Sequence, residues 1–291
     1  MTEPVKNIAL ADYTYYRIGG TAREAYFPAD CGEFSKIMES LEKRDLPFFI
    51  LGGGTNVLIG DGFWDGAVII TVRMNRHEAM NDKLACGAGL TSTDVAEIAL
   101  AHGKTGLEFL YKLPGTIGGA IAGNARFDDT NVSDVLLSIT AVHTEHGMKT
   151  FEAADIEFAY KHNSISAGGW YICGAELSWR TGESAAIREN MDRIARFREE
   201  RHHFDNPSCG CVFKNDHDKN IQVGRLLDSL GLKGMSVGHA EVAPFHANFI
   251  INTGNANARD VLSLIEKIEK TVAEKTGIAL KREVKVYGTF T

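Results

Sequence analysis

Two glycine-rich runs carry the first chemical signal. Leu51-Gly52-Gly53-Gly54-Thr55-Asn56-Val57 sets three unshielded backbone amides beside two polar side chains, an arrangement that can hold a phosphate in a backbone nest. No Lys-Ser/Thr pair follows, so the run is not a P-loop, and Val57 at the sixth position departs from the dinucleotide fingerprint. An ordinary glycine hairpin fits the same residues. The second run, Leu113-Pro114-Gly115-Thr116-Ile117-Gly118-Gly119-Ala120, is followed by Asn124. Glycines on either side of a hydroxyl suit a pyrophosphate or a flat ring lying against backbone. Read as two loops each flanked by strands, the runs predict one extended dinucleotide lying between two subdomains. A third run, Gly87-Ala88-Gly89-Leu90-Thr91-Ser92, has Glu108 about twenty residues beyond it but lacks the last glycine of the fingerprint, and reads as a strand–helix turn. No metal is expected: one residue separates Cys209 from Cys211, and His143 and His146 lack the helical HExxH spacing.

The elements that position these runs follow from apolar spacing. Phe34, Ile37, Met38 and Leu41 fall on one helical face; Val95, Ile98 and Ala99 follow a Thr91-Ser92-Thr93 cap and stop at Gly103. Val223, Leu226, Leu227 and Leu230 predict a helix ending at Gly231. Val261, Leu264, Ile265, Ile268 and Val272 predict a longer one ending at Gly277. An Arg- and Glu-rich helix over about residues 184–202 suits a connecting element before Asp205-Asn206-Pro207, and the main domain boundary is placed there. Strands are expected at 48–51, 57–59, 68–72, 139–143, 170–179, 249–252 and 284–287. Mixed elements without regular βα alternation predict an α+β fold.

The chain has 291 residues, 44% hydrophobic and 24% charged, which excludes a disordered protein and allows about two domains. Nothing approaches the roughly eighteen apolar residues of a membrane span, and no signal peptide is visible at the N-terminus. Five scattered cysteines read as reduced thiols of a cytoplasmic protein. A net charge of −7 argues against nucleic acid as partner. The acidic excess lies in the first 200 residues, so the C-terminal third is the less repulsive host for an anionic ligand.

Taken in order along the chain, these motifs resemble those of the UDP-N-acetylenolpyruvoylglucosamine reductase family. Tyr16-Arg17-Ile18-Gly19-Gly20 resembles the family's R-[IV]-G-G, and Gly52 to Leu58 its G-G-G-[ST]-N-x-L flavin loop. Gly106-Leu107-Glu108 and Pro114 to Ala120 resemble G-L-E and P-G-T-[VI]-G-G-A. Val212-Phe213-Lys214-Asn215, His246-Ala247-Asn248-Phe249-Ile250-Ile251-Asn252 and Glu283-Val284 complete the set. The resemblance implies an FAD-binding fold of the vanillyl-alcohol-oxidase type. Residues 1–182 would form it, in subdomains of about 1–70 and 71–182. Residues 183–204 would connect it to a substrate domain at 205–291, whose last strand returns to the FAD region. The short span from Tyr160 to Asp205 implies the type lacking a substrate-covering insertion.

The resemblance also implies the reaction: NADPH reduces FAD, hydride passes to C3 of the enolpyruvyl group of UDP-N-acetylglucosamine enolpyruvate, and an acid protonates C2 to give UDP-N-acetylmuramate for peptidoglycan. Such an addition leaves negative charge over C2 and the carboxylate, which calls for a cation or hydrogen-bond donor and a placed acid. By match to the family, FAD would be held by Gly52, Gly53, Gly54, Thr55, Asn56, Val57, Leu58, Gly115, Thr116, Gly118, Gly119, Ala120 and Asn124. Substrate would meet Tyr160, Lys214, Asn215, Arg225, His246 and Asn248. Lys161, Cys211 and Glu283 would be catalytic, with Glu283 expected on an alternating strand. Cys211 stands where the family has a serine proton donor, and a thiol is the stronger acid. Lys161 stands at the arginine of Y-R-x-S, keeping the charge without the fork; Asn163 then replaces the serine, unless one residue is inserted before Ser164. Arg126 and His239 add bulk where small residues are usual. Two alternatives remain open: another FAD-dependent oxidoreductase on the same scaffold, and a non-catalytic flavin- or nucleotide-binding relative. No obligate protein partner is implied.

Overall fold

The computed structural model describes residues 3–290. The chain divides into two compact units. The first comprises the residues up to Lys6, Glu24–Gly53 and Gly66–Phe197; the second comprises Asn7–Arg23, Gly54–Asp65 and the residues from Arg198 onward. The charged helix Ser184–Glu199 ends at this division. The segments 7–23 and 54–65, by contrast, group with the C-terminal residues rather than with the N-terminal region. Apolar periodicity along the chain reports which face of an element is buried and not which distant segment buries it.

The first unit is built on a five-stranded sheet in the order Gly147–Glu152, Leu136–His143, Tyr171–Ser178, Lys83–Gly87, His77–Ala79, antiparallel throughout. Leu84, Ile139 and Leu177 on this sheet are fully buried in one cluster with Val95 and Ala99 of the helix Ser92–Ala101 and Ile187, Met191 and Ile194 of Ser184–Glu199. A second cluster joins Val142 and Cys173 to Phe34, Ile37, Met38 and Leu41. Those four are the whole buried face of the helix Cys31–Lys43, which Asp30 caps by accepting from the Glu33 amide. In the same unit Phe48–Leu51 pairs in parallel with residues 67–70. The expected helix start at Thr91 is observed, its hydroxyl accepting from the Asp94 amide at 3.0 Å.

The second unit carries a four-stranded antiparallel sheet ordered Ser208–Cys211, Phe249–Asn252, Ala240–Val242, Ser236–Val237. The helix Ala258–Thr276 packs Val261, Leu264, Ile265, Ile268 and Val272 into its core, and ends at Gly277 with φ +72°, a conformation glycine adopts without steric cost. Lys285–Tyr287 pairs in parallel with Val57–Ile59. Tyr16 is almost wholly buried here; its hydroxyl donates to the Ile250 carbonyl at 3.0 Å, and Asn252 Nδ2 donates to the Tyr16 carbonyl at 3.1 Å. The fold is α+β, as expected. No helix among the described residues is long and apolar enough to cross a membrane.

Two local expectations are corrected. The run Leu113–Ala120 leads into a short helix, Ile117–Ala122, and not into a strand; six residues are too few to set a helical apolar pattern. Glu283 lies just before the strand Lys285–Tyr287 and not on it, because the segment 281–284 is held by other contacts, described below.

Candidate active site

In the first unit the glycine runs pack directly on one another. A methyl group placed on Gly52 would come within 2.7 Å of Thr116 Oγ1, and one on Gly53 within 2.8 Å of the Gly115 Cα. These glycines therefore serve loop-on-loop packing, a use the sequence reading did not anticipate. The Gly87–Ser92 turn supplies the floor. Its Leu90 and Ala88 carbonyls accept from the Ile117 and Gly118 amides at 2.8 and 2.9 Å, and its Ser92 amide donates to the Gly115 carbonyl at 3.1 Å. A side chain on Gly118 would meet Ala88 Cβ at 2.7 Å. The third run is thus structural, as read, but it holds up the second.

The Thr116 hydroxyl is buried without a hydrogen-bond partner, although this residue precedes a helix and could have accepted from its first turn. Asn124, in the left-handed region at φ +41°, accepts from the Ser133 amide at 3.2 Å and donates to the Ala159 carbonyl at 3.4 Å. Lys161, at φ +54°, turns the chain between the short strands Phe158–Ala159 and His162–Asn163, next to the exposed Tyr160. Asn163 explains how this turn is held. It is 1% exposed, its Nδ2 donates to the Ile121 and Ala122 carbonyls at 3.0 and 3.1 Å, and its Oδ1 accepts from the Ser166 amide at 2.7 Å. Asn163 thus ties the Lys161 turn to the end of the Ile117–Ala122 helix.

In the second unit Gly54 needs its missing side chain, since a methyl group there would overlap the Tyr13 carbonyl. Asn56 donates from Nδ2 to the Glu283 carbonyl at 3.4 Å, which fixes the amide orientation, and its Oδ1 is left buried without a partner. Val57 and Leu58 lie on the strand paired with Lys285–Tyr287. The Glu283 amide donates to the Val212 carbonyl at 2.7 Å, and the Lys214 amide donates to the Lys281 carbonyl at 2.8 Å. Glu283 and the Cys211–Lys214 segment are therefore held side by side. Cys211 ends the strand Ser208–Cys211, half-buried. Burial pushes the neighbouring Cys209 thiol up to about 12, with the Cys211 and Glu283 charges adding to the effect. Only Cys211 of this pair is in reach of solvent.

The remaining substrate candidates gather at the helix Val223–Ser229. Asn215 Oδ1 caps it by accepting from the Val223 amide at 2.9 Å. His246 packs on Gly224, where a methyl group would lie 3.1 Å from its Cε1, and its Nδ1 accepts from the Asn248 amide at 3.2 Å. Burial holds the His246 imidazole below its ordinary range. Arg225 is exposed on the same helix. Asn248 is 4% exposed and engaged at both ends of its amide with Phe213. Of the departures from the family pattern, Arg126 pairs with Asp129 at 2.9 Å and the His239 amide contacts Asp260 at 3.4 Å.

The sequence reading gave no role to Tyr16, whose two hydrogen bonds seat the N-terminal motif on the strand carrying Ile250 and Asn252. An isolated tyrosine before Arg-Ile-Gly-Gly carries no signal of that partner. His143, Glu145 and His146 place ligating atoms within 4.8 Å of one another at a hairpin turn, a grouping the spacing argument missed. There, His143 Nδ1 is engaged by the Glu145 amide at 3.1 Å and the rings stack near Trp170.

Comparison with known proteins accords with this geometry. An FAD-binding domain model matches residues 23–148, and the model of the UDP-N-acetylenolpyruvoylglucosamine reductase C-terminal domain matches residues 202–287. The chain is 33% identical over 287 residues to a UDP-N-acetylenolpyruvoylglucosamine reductase from Clostridium novyi, covering 98% of this chain and 93% of that protein. It is 35% identical over 280 residues to one from Borrelia garinii subsp. bavariensis, covering 96% and 92%. The crystal structure of UDP-N-acetylenolpyruvylglucosamine reductase from Thermus caldophilus superposes with a TM-score of 0.81 at 27% identity, covering 96% of this chain and 97% of that one. With sequence and structure agreeing from end to end, the chain belongs to the UDP-N-acetylenolpyruvoylglucosamine reductase family.

Proposed function

We propose that this protein is an FAD-dependent oxidoreductase that reduces UDP-N-acetylglucosamine enolpyruvate to UDP-N-acetylmuramate, a peptidoglycan precursor, with NADPH as the hydride source. The residues of the glycine runs fit FAD: in the first unit Thr116 Oγ1 is a buried polar atom without a partner, at the seam where Gly52 and Gly53 let the two runs pack together, and in the second unit Asn56 Oδ1 is another such atom. Bound FAD supplies the carrier of two electrons and a hydride between nicotinamide and the enolpyruvyl carbon. Within the first unit, Thr116 with the backbone of Gly52, Gly53 and Gly115–Ala120 would hold and orient it.

The protein's own part is charge and proton placement. Cys211 would donate a proton to C2, being the half-buried thiol of the strand end. Glu283, fixed beside Val212, would share in the protonation of that site, and Lys161 would face the negative charge that develops on the substrate carboxylate. Asn215, Asn248 and His246 would act by fixing the segment that carries Lys214 and the helix that carries Arg225. A thiol acid needs a reducing compartment, which supports a cytoplasmic location.

The observation that supports this reading is the 2.7 Å bond from the Glu283 amide to the Val212 carbonyl, which holds the Glu283 backbone against the segment that follows Cys211. The test separates the half-reactions anaerobically. Flavin reduced by NADPH should reoxidise when UDP-N-acetylglucosamine enolpyruvate is added. Cys211→Ala should leave reduction by NADPH intact and slow reoxidation, while Cys211→Ser keeps substantial activity. Flavin that reduces but stays bleached with the wild-type protein would overturn the substrate assignment.

A further inference from the structure

Two cysteines outside the site just described meet inside the first unit. Cys31 is the first residue of the helix Cys31–Lys43, and Cys173 lies on the central strand Tyr171–Ser178 of the five-stranded sheet. Cys31 packs against the buried cluster that contains Cys173. A methyl group placed on Gly174, the residue after Cys173, would lie 3.5 Å from Cys31 Sγ. Cys173 is fully buried and also contacts the Thr140 carbonyl at 3.3 Å, which fixes its sulfur, whereas Cys31 is only half-buried. Cys86, at 7% exposure, and Cys209, at 4%, have no such access.

We propose that Cys31 and Cys173 form a peroxide-reactive dithiol, with Cys31 as the attacking sulfur and Cys173 as the resolving one, closing to an intramolecular disulfide. Interaction with Cys173 holds the Cys31 thiol below its ordinary range, against the opposing effects of burial and Asp30, while interaction with Cys31 and burial push the Cys173 thiol up. The half-exposed thiol is thus the one that ionises more readily. Its thiolate attacks one peroxide oxygen; the O–O bond breaks, the Cys31 sulfur is oxidised to a sulfenic acid, and hydroxide leaves to take up a proton as water. The Cys173 sulfur then attacks the Cys31 sulfur, the S–O bond breaks, and the Cys173 proton leaves with the hydroxyl as a second water. In total, two thiols lose two hydrogens and one hydrogen peroxide is reduced to two waters. Substrate and flavin take no part.

The linkage would matter to the fold around the glycine runs. The Cys173 carbonyl accepts from the Ala88 amide at 3.0 Å, and the Ala88 carbonyl accepts from the Gly118 amide at 2.9 Å. A bond between Cys31 and Cys173 would therefore anchor the strand that holds this floor to the Cys31–Lys43 helix.

The test uses the full-length protein as purified, treated with hydrogen peroxide and quenched with an alkylating reagent. Peptide mapping without reductant should recover one cross-linked pair containing Cys31 and Cys173, removed by dithiothreitol and absent in Cys31→Ser. The melting temperature of the wild type should rise on oxidation and fall back on reduction, with no reversible shift in Cys31→Ser. Because Cys173 is buried and its replacement risks misfolding, the half-exposed Cys31 carries the genetic test. Recovery of Cys31 as a sulfinic or sulfonic acid without the cross-link would overturn the proposal. So would a Cys31 that stays fully alkylatable while Cys211 is oxidised.

Discussion

Asn248 holds Phe213 by both of its backbone polar groups: its Oδ1 accepts from the Phe213 amide at 3.0 Å and its Nδ2 donates to the Phe213 carbonyl at 2.8 Å. The Val212 amide adds a bond to the Asn248 carbonyl at 2.9 Å. The segment between Cys211 and Lys214 is thereby fixed to the start of the strand Phe249–Asn252. A buried asparagine in His-Ala-Asn-Phe therefore shapes the place where the thiol and the lysine emerge.

Asn248→Ala removes both side-chain bonds and leaves a buried N–H and C=O on Phe213 unmet. A loss of roughly 2–4 kcal/mol of folding stability is expected, from the desolvation penalty of such groups. Urea denaturation checks this. Asn248→Asp should be no milder, because its carboxylate would face the Phe213 carbonyl without a proton to donate. A variant as stable as wild type would reduce Asn248 to a ligand contact without structural weight.

The packing of the glycine runs separates neighbouring substitutions. Gly118→Ala brings a methyl group to 2.7 Å from Ala88 Cβ, whereas Gly119→Ala meets nothing nearer than Thr116 Oγ1 at 3.7 Å, an ordinary contact. Gly118→Ala should therefore lower thermal stability and flavin retention together, with a cost of about 1–3 kcal/mol typical of overpacking. Gly119→Ala should fold like wild type and reveal in flavin titration whether that stretch of backbone is approached by the cofactor.

Much of this was legible because it is local. The apolar face Phe34, Ile37, Met38 and Leu41, the Thr91 cap and the glycine stops all arise from residues a few positions apart, and all are where spacing put them. What spacing could not carry was long-range. The pairing of Val57–Ile59 with Lys285–Tyr287 groups residues 54–65 with the C-terminal unit, and nothing in either segment names its partner. Site residues were legible as motifs, but not their division of labour. Asn163 reads as a lost serine, yet its three hydrogen bonds make it the anchor of the Lys161 turn. The Gly87–Ser92 turn reads as bland because its role lies in carbonyls, which every residue has.

Acid should weaken the second unit through its half-buried histidines. His203 stacks on Phe249 at 5.4 Å between ring centroids, and burial, aided by Arg198, His246 and Arg201, lowers its pKa from 6.5 to about 4. The unfolded chain takes up that proton near 6.5 while the folded chain resists it down to about 4. The unfolded state therefore binds more protons within this window, and stability falls as pH drops through it. His246 contributes in the same direction. Denaturation midpoints at pH 7 and pH 5 should show the loss, and His203→Gln should make it smaller. An unchanged slope in that variant would assign the acid sensitivity elsewhere.

Lys161 gives the sharpest test of how the site tolerates its departure from the family. The residue already sits at φ +54°, so Lys161→Ala and Lys161→Arg add no backbone strain of their own, and Asn163 continues to hold the turn. If its ammonium faces the developing charge, Lys161→Ala should slow flavin reoxidation by the enolpyruvyl substrate by about 10²–10³-fold, the usual cost of removing one group that stabilises transition-state charge. Reduction by NADPH should be unaffected. Lys161→Arg restores a fork able to grip a carboxylate with two hydrogen bonds and should retain the rate or raise it. Stopped-flow measurement of the two half-reactions distinguishes the cases: equal slowing of both in Lys161→Ala would mean that the turn, and not the charge, is what the substitution disturbs.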